Sequence, residues 1–170
     1  NIAKIEPKET VLVSTAAGSV GIFACQIARI LGCKVIGLSS SDEKCDWVEK
    51  KLGIDKCINY TGENFSTNLK EICPEGIDVY FDNVGGNLLE QTLYRMKLKG
   101  RVVCCGAISQ YDQDIATSPK NIPGVIVTKR LKLEGFIVMD FQKENSKALE
   151  DLSKWFEAGQ LKVFTEEYKG

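Results

Sequence analysis

A glycine-containing turn between a strand-like run and a helix-like segment is the first feature whose residue types suggest chemistry. The stretch "STAAGSVG", residues 14–21, follows "TVLV" and precedes "IFACQIARIL". It aligns on the G-x-G-x-x-G pattern as Ala16, Gly18 and Gly21, with alanine in the first position. The second glycine of such a turn lets backbone N–H groups approach a pyrophosphate, and the third lets the helix pack on the strand. The context favours a dinucleotide-binding turn, and an ordinary tight turn is the alternative.

The end of the second predicted strand indicates which dinucleotide the turn would hold. NAD enzymes usually place an acidic residue there, whereas this chain reads "GLSSSDEK", with Ser39 and Ser40 at the strand end and Lys44 one helical turn beyond. Hydroxyl groups and a cation suit a 2′-phosphate, so the pattern favours NADP over NAD. The alternative is structural: Ser40 and Glu43 would form a capping box, and Lys44 would be an exposed helix lysine.

A later strand runs into a pair of glycines in "DVYFDNVGG", residues 78–86. Because ligands of doubly wound sheets bind beyond the carboxyl ends of the strands, Asn83 and Gly85 are expected to face the same crevice as Gly18. An equal alternative is that Asp82 or Asn83 caps the helix that follows.

The next strand ends in "CCGAISQY", residues 104–111, which would enter the same crevice. Gly106 allows close approach of the backbone, and Tyr111 places a phenol on a loop, where packing is a more common role than chemistry. Residues 110–130 carry two of the four prolines and show no clear period, so they are predicted to form a long loop. Such a loop is either a surface excursion or part of an active site.

Composition excludes several classes of function. The 170 residues contain no histidine, which removes a histidine-ligated zinc, a histidine general base and a serine-histidine triad. Twenty-two basic and 23 acidic residues, with no long run of one sign, argue against a nucleic-acid surface or a basic membrane patch. No segment is apolar for long enough to span a bilayer. Seven scattered cysteines, without C-x-x-C spacing, indicate buried thiols in a reducing compartment, hence the cytoplasm.

Apolar runs alternate with amphipathic stretches along the whole chain. About six strands separated by helices require crossover connections, so the sequence predicts a doubly wound parallel α/β sheet with helices on both faces. The start at Asn1 and the end soon after a helix-like segment lead us to expect a piece of a longer chain. The predicted strands are "TVLVS", "KVIGL", "KCINY", "IDVYFDNV", "GRVVCCGAI" and "RLKLEGFIVM", and the predicted helices are 19–31, 42–52, 64–72, 86–96 and 143–157.

Six stretches in this order carry a family resemblance: "AAGSVG", "SSDEK", "INY", "YFDNVGG", "CGAISQY" and "LEGFIV". They resemble the cofactor domain of the zinc-independent medium-chain dehydrogenase/reductases, which is a Rossmann fold. The match is closest to the prostaglandin reductase, or leukotriene B4 12-hydroxydehydrogenase, branch with its 2-alkenal reductases. It runs from "PKETVLV" to "KWFEAGQL", so residues 1–170 are expected to form one NADP-binding domain without the family's N-terminal substrate domain and last stretch.

The resemblance implies NADPH-dependent reduction of the C=C bond of α,β-unsaturated ketones and aldehydes, of the 15-oxo-prostaglandin or alkenal type. Hydride would go to the β-carbon, no metal would be required, and homodimers are common in the family. Such a piece would bind NADPH but turn over little alone. The alternatives are a quinone reductase of the same superfamily and a non-catalytic dinucleotide-binding module.

The resemblance also implies roles for individual residues. Tyr111 would be catalytic, since it would help to place the nicotinamide ribose and the substrate oxygen on which negative charge grows. The implied cofactor-binding residues are Ala17, Gly18, Ser19 and Val20 at the pyrophosphate, Ser40 and Lys44 at the 2′-phosphate, Tyr60 near the adenosine, and Asn83, Cys105, Gly106, Ala107, Ile108, Ser109, Tyr111, Phe136, Ile137 and Val138 on the nicotinamide side.

Overall fold

A computed structural model of the protein describes residues 2–111 and 122–165. The chain divides into two compact units, Asn1–Ile137 and Val138–Gly170. Within the described ranges, the helices all fall short of the length and apolar character that crossing a membrane requires.

The first unit is built on one parallel sheet. Its order is β3-β2-β1-β4-β5-β6, so the direction in which the chain winds reverses between β1 and β4. This order and the parallel pairing of all neighbours confirm the predicted doubly wound fold. The six strands found in the described ranges are β1 Thr10–Val13, β2 Lys34–Ser39, β3 Lys56–Asn59, β4 Ile77–Asp82, β5 Met96–Cys104 and β6 Lys132–Gly135.

Helices cover both faces of the sheet because alternate strand residues point to opposite sides. Leu12 and Tyr80 are fully buried on one face, where they join apolar side chains of three helices, α3 Phe65–Ile72, α4 Gly86–Leu93 and α5 Ile122–Lys129. The opposite face packs against α1 Ser19–Ile30 and α2 Asp42–Leu52. Cys25 of α1 and Val48 of α2 are completely buried there.

One prediction is wrong: part of the expected loop 110–130 is helix α5. Pro123 and Gly124 made this stretch look like a loop, but a proline is tolerated in the first turn of a helix, where its missing N–H has no partner to lose. Val125 of α5 is buried in the core of the first unit. The rest of the expected loop, residues 112–121, lies outside the described residues.

Two predicted strands also have different bounds. Strand β5 begins at Met96, earlier than the expected start at residue 100, with an irregularity in its pairing to β4 between Ile77 and Val79. Strand β6 ends at Gly135, whereas an apolar run to residue 139 was predicted. The apolar residues continue beyond Gly135, where the pairing with Cys104 of β5 stops. The sequence pattern of one strand carries no information on where the neighbouring strand ends.

The second unit begins with two short 3₁₀ turns over Val138–Glu144, separated by a kink at Phe141, and continues as α6 Asn145–Glu157. The sequence predicted this helix over 143–157. The turn after α6 is bonded back to the helix, since the N–H groups of Gln160 and Leu161 both donate to the carbonyl of Trp155 in α6.

Candidate cofactor site

The carboxyl ends of the central strands lie at one edge of the sheet, at the point where the winding reverses. Ligands of doubly wound sheets bind in the crevice formed there. Three segments follow these strand ends: the turn 14–18 after β1, residues 83–85 after β4 and residues 105–111 after β5. The structure therefore brings together the three stretches that the sequence assigned to one crevice.

The glycine turn makes a contact that a larger residue would block. A Cβ added at Gly21 would lie 2.0 Å from the Thr15 carbonyl oxygen, and one added at Gly18 would lie 2.8 Å from Thr15 Cγ2. Gly18 is the N-cap of α1 and Gly21 is buried in its first turn. The predicted role of Gly21 in packing the helix on the strand turn is confirmed by this geometry.

Alanine at the first motif position is accommodated by a glycine on the neighbouring strand. Ala16 is completely buried, its N–H donates to the Leu38 carbonyl at 2.9 Å, and its Cβ lies 2.8 Å from where a Cβ on Gly37 would stand. The left-handed residue of the turn is Thr15, with φ of 53°. The motif gave no signal for either Thr15 or Gly37.

The start of α1 is suited to an anion. Among the described residues, no side chain caps its N-terminus, and its first turn contains no acidic residue. Free N–H groups and the helix dipole together favour a negatively charged ligand. Of the residues predicted to hold a pyrophosphate here, Ala17 and Gly18 are partly exposed and Ser19 and Val20 are exposed.

The end of β2 carries the residues predicted for a 2′-phosphate. Ser40 and Lys44 are exposed, whereas Ser39 is buried. The alternative capping box of Ser40 and Glu43 is wrong, because the N-cap of α2 is Ser41, whose Oγ accepts from the Lys44 N–H at 3.3 Å. With the cap one residue later, the third helical position is Lys44 and not an acid, so Ser40 has no capping role.

The ends of β2 and β3 are joined where an adenosine was predicted to lie. The Tyr60 N–H donates to the Ser39 carbonyl at 3.0 Å, and the half-buried Tyr60 ring packs against the core. Asn59 Nδ2 donates to Asp42 Oδ1 at 3.1 Å, which engages one of the two acids in the first turn of α2.

A buried carboxylate organises the end of β4. Asp82 is 1% exposed, and its Oδ1 accepts from the Tyr80 hydroxyl at 2.8 Å, the Ser14 hydroxyl at 3.3 Å, and the Val84 and Gly85 N–H groups at 3.0 and 3.1 Å. Burial raises the pKa of Tyr80 well above its ordinary value, and the negative charge of Asp82 raises it further. Tyr80 therefore stays protonated and donates to the carboxylate.

Asn83 joins the ends of β4 and β1. Its N–H donates to Ser14 Oγ and its Nδ2 to the Ser14 carbonyl, both at 2.8 Å. The N-cap residue of α4 is Gly85, with φ of 68°, and no side chain caps this helix, so Asn83 is not the cap. It lies at the switch point, as the sequence predicted, and its amide is used to join the two strands.

The segment after β5 rests on the turn after β4. Of the N–H groups predicted to line the nicotinamide side, those of Cys105, Gly106, Ile108 and Ser109 donate to carbonyls of residues 82–84 at 2.8–3.2 Å. The Ser109 hydroxyl adds a further bond to the Val84 carbonyl at 2.6 Å. These bonds hold the segment after β5 against the turn after β4.

Tyr111 holds its phenol against this wall. The ring is 68% exposed, and its hydroxyl oxygen accepts from the Ala107 N–H at 3.1 Å. A Cβ on Gly106 would lie 3.2 Å from that oxygen, so glycine leaves room for the phenol. Because the oxygen accepts one bond, the hydroxyl hydrogen remains available to a ligand.

The last predicted cofactor residues follow β6. Phe136 is half-buried and Ile137 is exposed at the end of the first unit, whereas Val138 is the first residue of the second.

A metal ion does not fit the donor set. No group of three or more His, Cys, Asp or Glu side chains within residues 2–111 and 122–165 is arranged to hold one. The cysteines at these positions are all free thiols, five of them buried.

Comparison with known proteins gives a family and close relatives. The family model described as zinc-binding dehydrogenase matches residues 19–154. Prostaglandin reductase 1 of Bos taurus is 47% identical over 163 residues, covering 95% of this chain and 49% of that protein. The NADP(+)-dependent 2-alkenal reductase of Nicotiana tabacum is 42% identical over 160 residues, covering 94% and 46%.

Solved structures share the fold. CurA of Vibrio vulnificus in complex with NADPH superposes with a TM-score of 0.90 at 31% identity, over 96% of this chain and 50% of that one. The Escherichia coli quinone oxidoreductase complexed with NADPH gives a TM-score of 0.81 at 28% identity, over 96% and 49%.

The chain thus spans about half the length of the relatives that it matches. The described residues of this chain offer no group of donors that fits the zinc in the family's description. The family match extends over well more than half of the chain and agrees with the resemblance seen in its motifs. The protein therefore belongs to the zinc-binding dehydrogenase family, in the neighbourhood of the prostaglandin and 2-alkenal reductases.

Proposed function

We propose that residues 1–170 form the NADP(H)-binding domain of a reductase that acts on the C=C bond of α,β-unsaturated ketones and aldehydes. The observation that carries the proposal is the uncapped start of α1, held on the strand turn by Gly21 at the switch point of the sheet. This arrangement offers free N–H groups to a pyrophosphate. The names of the relatives, a prostaglandin reductase and an NADP(+)-dependent 2-alkenal reductase, support the reaction class.

Residues at different positions along this edge of the sheet would bind different parts of the cofactor. Backbone groups from Ala17 to Val20 would bind the pyrophosphate, and Lys44 with Ser40 would bind the 2′-phosphate. Bound NADPH would supply the hydride that adds to the β-carbon of the substrate. Tyr111 would donate its hydroxyl hydrogen to the substrate oxygen, where negative charge grows as the enolate forms.

The cofactor part of the proposal predicts that Lys44→Ala removes the preference for NADPH over NADH. Calorimetry on the 170-residue chain should show tighter binding of NADPH, and the variant should lose roughly 10- to 100-fold in NADPH affinity with little change for NADH, since a hydrogen bond to a charged group contributes about 1.5–3 kcal/mol. Lys51→Ala, at the other end of α2, is the matched control and should keep the preference. Equal affinity of the unmutated chain for both cofactors would contradict the assignment.

The catalytic part of the proposal predicts that Tyr111→Phe lowers kcat of the full-length enzyme by roughly tenfold or more. The KM for NADPH should change less than about twofold, because the proposed contact strengthens only as the enolate forms. The measurement is steady-state reduction of an alkenal and of a 15-oxo-prostaglandin. An unchanged kcat would leave Tyr111 with a packing role against Ala107.

A second candidate is reduction of quinones, favoured by the likeness to the Escherichia coli quinone oxidoreductase. A quinone would take hydride at the same site. Steady-state assays of the full-length protein on enones, alkenals and quinones separate the two reactions by kcat/KM. Binding of NADPH without turnover of any of these acceptors would favour the non-catalytic dinucleotide-binding module instead.

The proposal includes a small-molecule substrate, a cytoplasmic location and a homodimer. Seven free cysteines are typical of a reducing compartment. Strands β3 and β6 form the two edges of the sheet, and an edge strand can pair with a second copy. Sedimentation equilibrium of the full-length protein measures the oligomeric state.

A further inference from the structure

Two buried thiols face each other across α2 and β3. The sulfur atoms of Cys45 and Cys57 are 3.0 Å apart, and the Cys57 thiol donates to Cys45 Sγ. Each residue is 5% exposed. All seven cysteines lie in the described ranges, and this is the one sulfur–sulfur hydrogen bond among them.

The closeness of these thiols is enforced by the side chain of Glu49 in α2. Its Oε1 accepts from the Cys57 N–H at 2.8 Å and lies 2.9 Å from Lys56 Nζ. The Cys45 N–H donates to the Ser41 carbonyl in the first turn of the same helix. These bonds hold α2 against the edge strand β3 next to the two sulfur atoms.

We propose that Cys45 and Cys57 are an oxidisable dithiol site that a peroxide converts into an intramolecular disulfide. A disulfide bond is about 2.05 Å long, so the sulfur atoms need to approach by only about 1 Å.

Hydrogen peroxide is the oxidant that forms this disulfide, in two steps. The thiolate sulfur of Cys45 attacks one peroxide oxygen, the O–O bond breaks, and the departing oxygen leaves as water after taking up a proton. The sulfur of Cys57 then attacks the resulting sulfenic acid, the S–O bond breaks and a second water leaves. In total the two thiols lose two electrons and two protons, and these reduce one peroxide to two waters.

The direction of the hydrogen bond assigns Cys45 as the attacking sulfur. Burial raises the pKa of the Cys45 thiol, and the hydrogen bond from Cys57 opposes that shift. Burial and the neighbouring sulfur both raise the pKa of Cys57. Since the thiolate is the nucleophile, Cys45 reacts first and the reaction is slow compared with that of an exposed thiol.

The test maps the disulfide in the folded chain. The 170-residue protein is treated with hydrogen peroxide in native buffer, alkylated in denaturant and digested with trypsin. The expected product is a cross-linked pair of peptides, residues 45–50 and 57–70, that dithiothreitol separates. Free, alkylated Cys45 and Cys57 after oxidation of the other cysteines would overturn the proposal, as would a cross-link that forms only in denaturant.

Two variants sharpen this measurement. Cys57→Ser should abolish the cross-link and leave Cys45 as a sulfenic acid that reacts with dimedone. Cys25→Ser, which changes another buried thiol, should leave the cross-link at its original yield. A cross-link from Cys45 to a different cysteine in folded Cys57→Ser, at the original yield, would count against the assigned pair. If the variant does not fold, peptide mapping of the unmutated chain decides alone.

Discussion

Gly21→Ala is expected to destabilise the protein by about 3 kcal/mol and to abolish binding of NADPH. The added Cβ would stand 2.0 Å from the Thr15 carbonyl oxygen and 2.8 Å from the Thr15 carbonyl carbon. Both are backbone atoms, so no flexible side chain can move aside. Helix α1 must shift off the turn, which removes its N–H groups from the predicted pyrophosphate position. Urea unfolding gives the stability, and calorimetry gives the affinity.

A second glycine variant separates this steric effect from a general effect of alanine. Gly124 lies inside α5, and a Cβ added there would meet no atom of the described residues within 4 Å. Gly124→Ala should therefore be neutral or stabilise by about 0.5–1 kcal/mol, because alanine loses less backbone entropy in a helix. Similar unfolding midpoints for the Gly21 and Gly124 variants would contradict the role given to the Thr15 contact.

The sequence predicted the fold well where local signals agree with each other. Helix α2 has the bounds predicted, Asp42–Leu52, because a serine N-cap, acids in the first turn and a glycine at the end all mark the same segment. Helix α5 was missed because Pro123 and Gly124 usually indicate a loop, and its burial against the core is a tertiary effect. Local pattern fails where distant packing decides the conformation.

The site was predicted less completely than the fold. The motifs identified the three segments at the crevice, because each follows a strand end. They could not identify Gly37 as the residue that makes room for Ala16, since the contact crosses from β2 to the turn after β1. They also could not show that Asn83 joins Ser14, which is 69 residues away in sequence. Such contacts depend on the strand order, which emerges only in the folded chain.

The crevice has two kinds of support with different physical origins. Around Gly21 the support is steric, because absent side-chain atoms let the helix reach the turn. Around Asp82 the support is polar, because one buried carboxylate satisfies donors from both β1 and β4. Burying a polar group without a partner costs more free energy than a hydrogen bond to it contributes. Removing the Asp82 carboxylate should therefore destabilise the protein about as much as adding a side chain at Gly21.

Asp82→Ala is expected to destabilise the chain by about 3 kcal/mol, because it leaves buried donors without an acceptor. Those donors are the Tyr80 hydroxyl and the N–H groups of Val84 and Gly85, whereas the Ser14 hydroxyl keeps the Phe81 carbonyl as an acceptor at 3.4 Å. The affinity for NADPH should fall with the stability, since the Ser14 hydroxyl also accepts from the Asn83 N–H at the switch point. The measurements are urea unfolding and calorimetry on the same samples.

Asp82→Asn distinguishes the acceptor from the charge. The four donors converge on Oδ1, whereas among the described residues Oδ2 accepts only from the Gly85 N–H, at 3.1 Å. An asparagine can keep its oxygen in the Oδ1 position and places its NH₂ group against that single donor, so the expected loss is about 1 kcal/mol. Asp46→Ala, at an exposed acid of α2, should cost less than about 0.5 kcal/mol. Equal losses for the alanine and asparagine variants at Asp82 would mean that the negative charge, and not the acceptor oxygen, holds this end of β4 together.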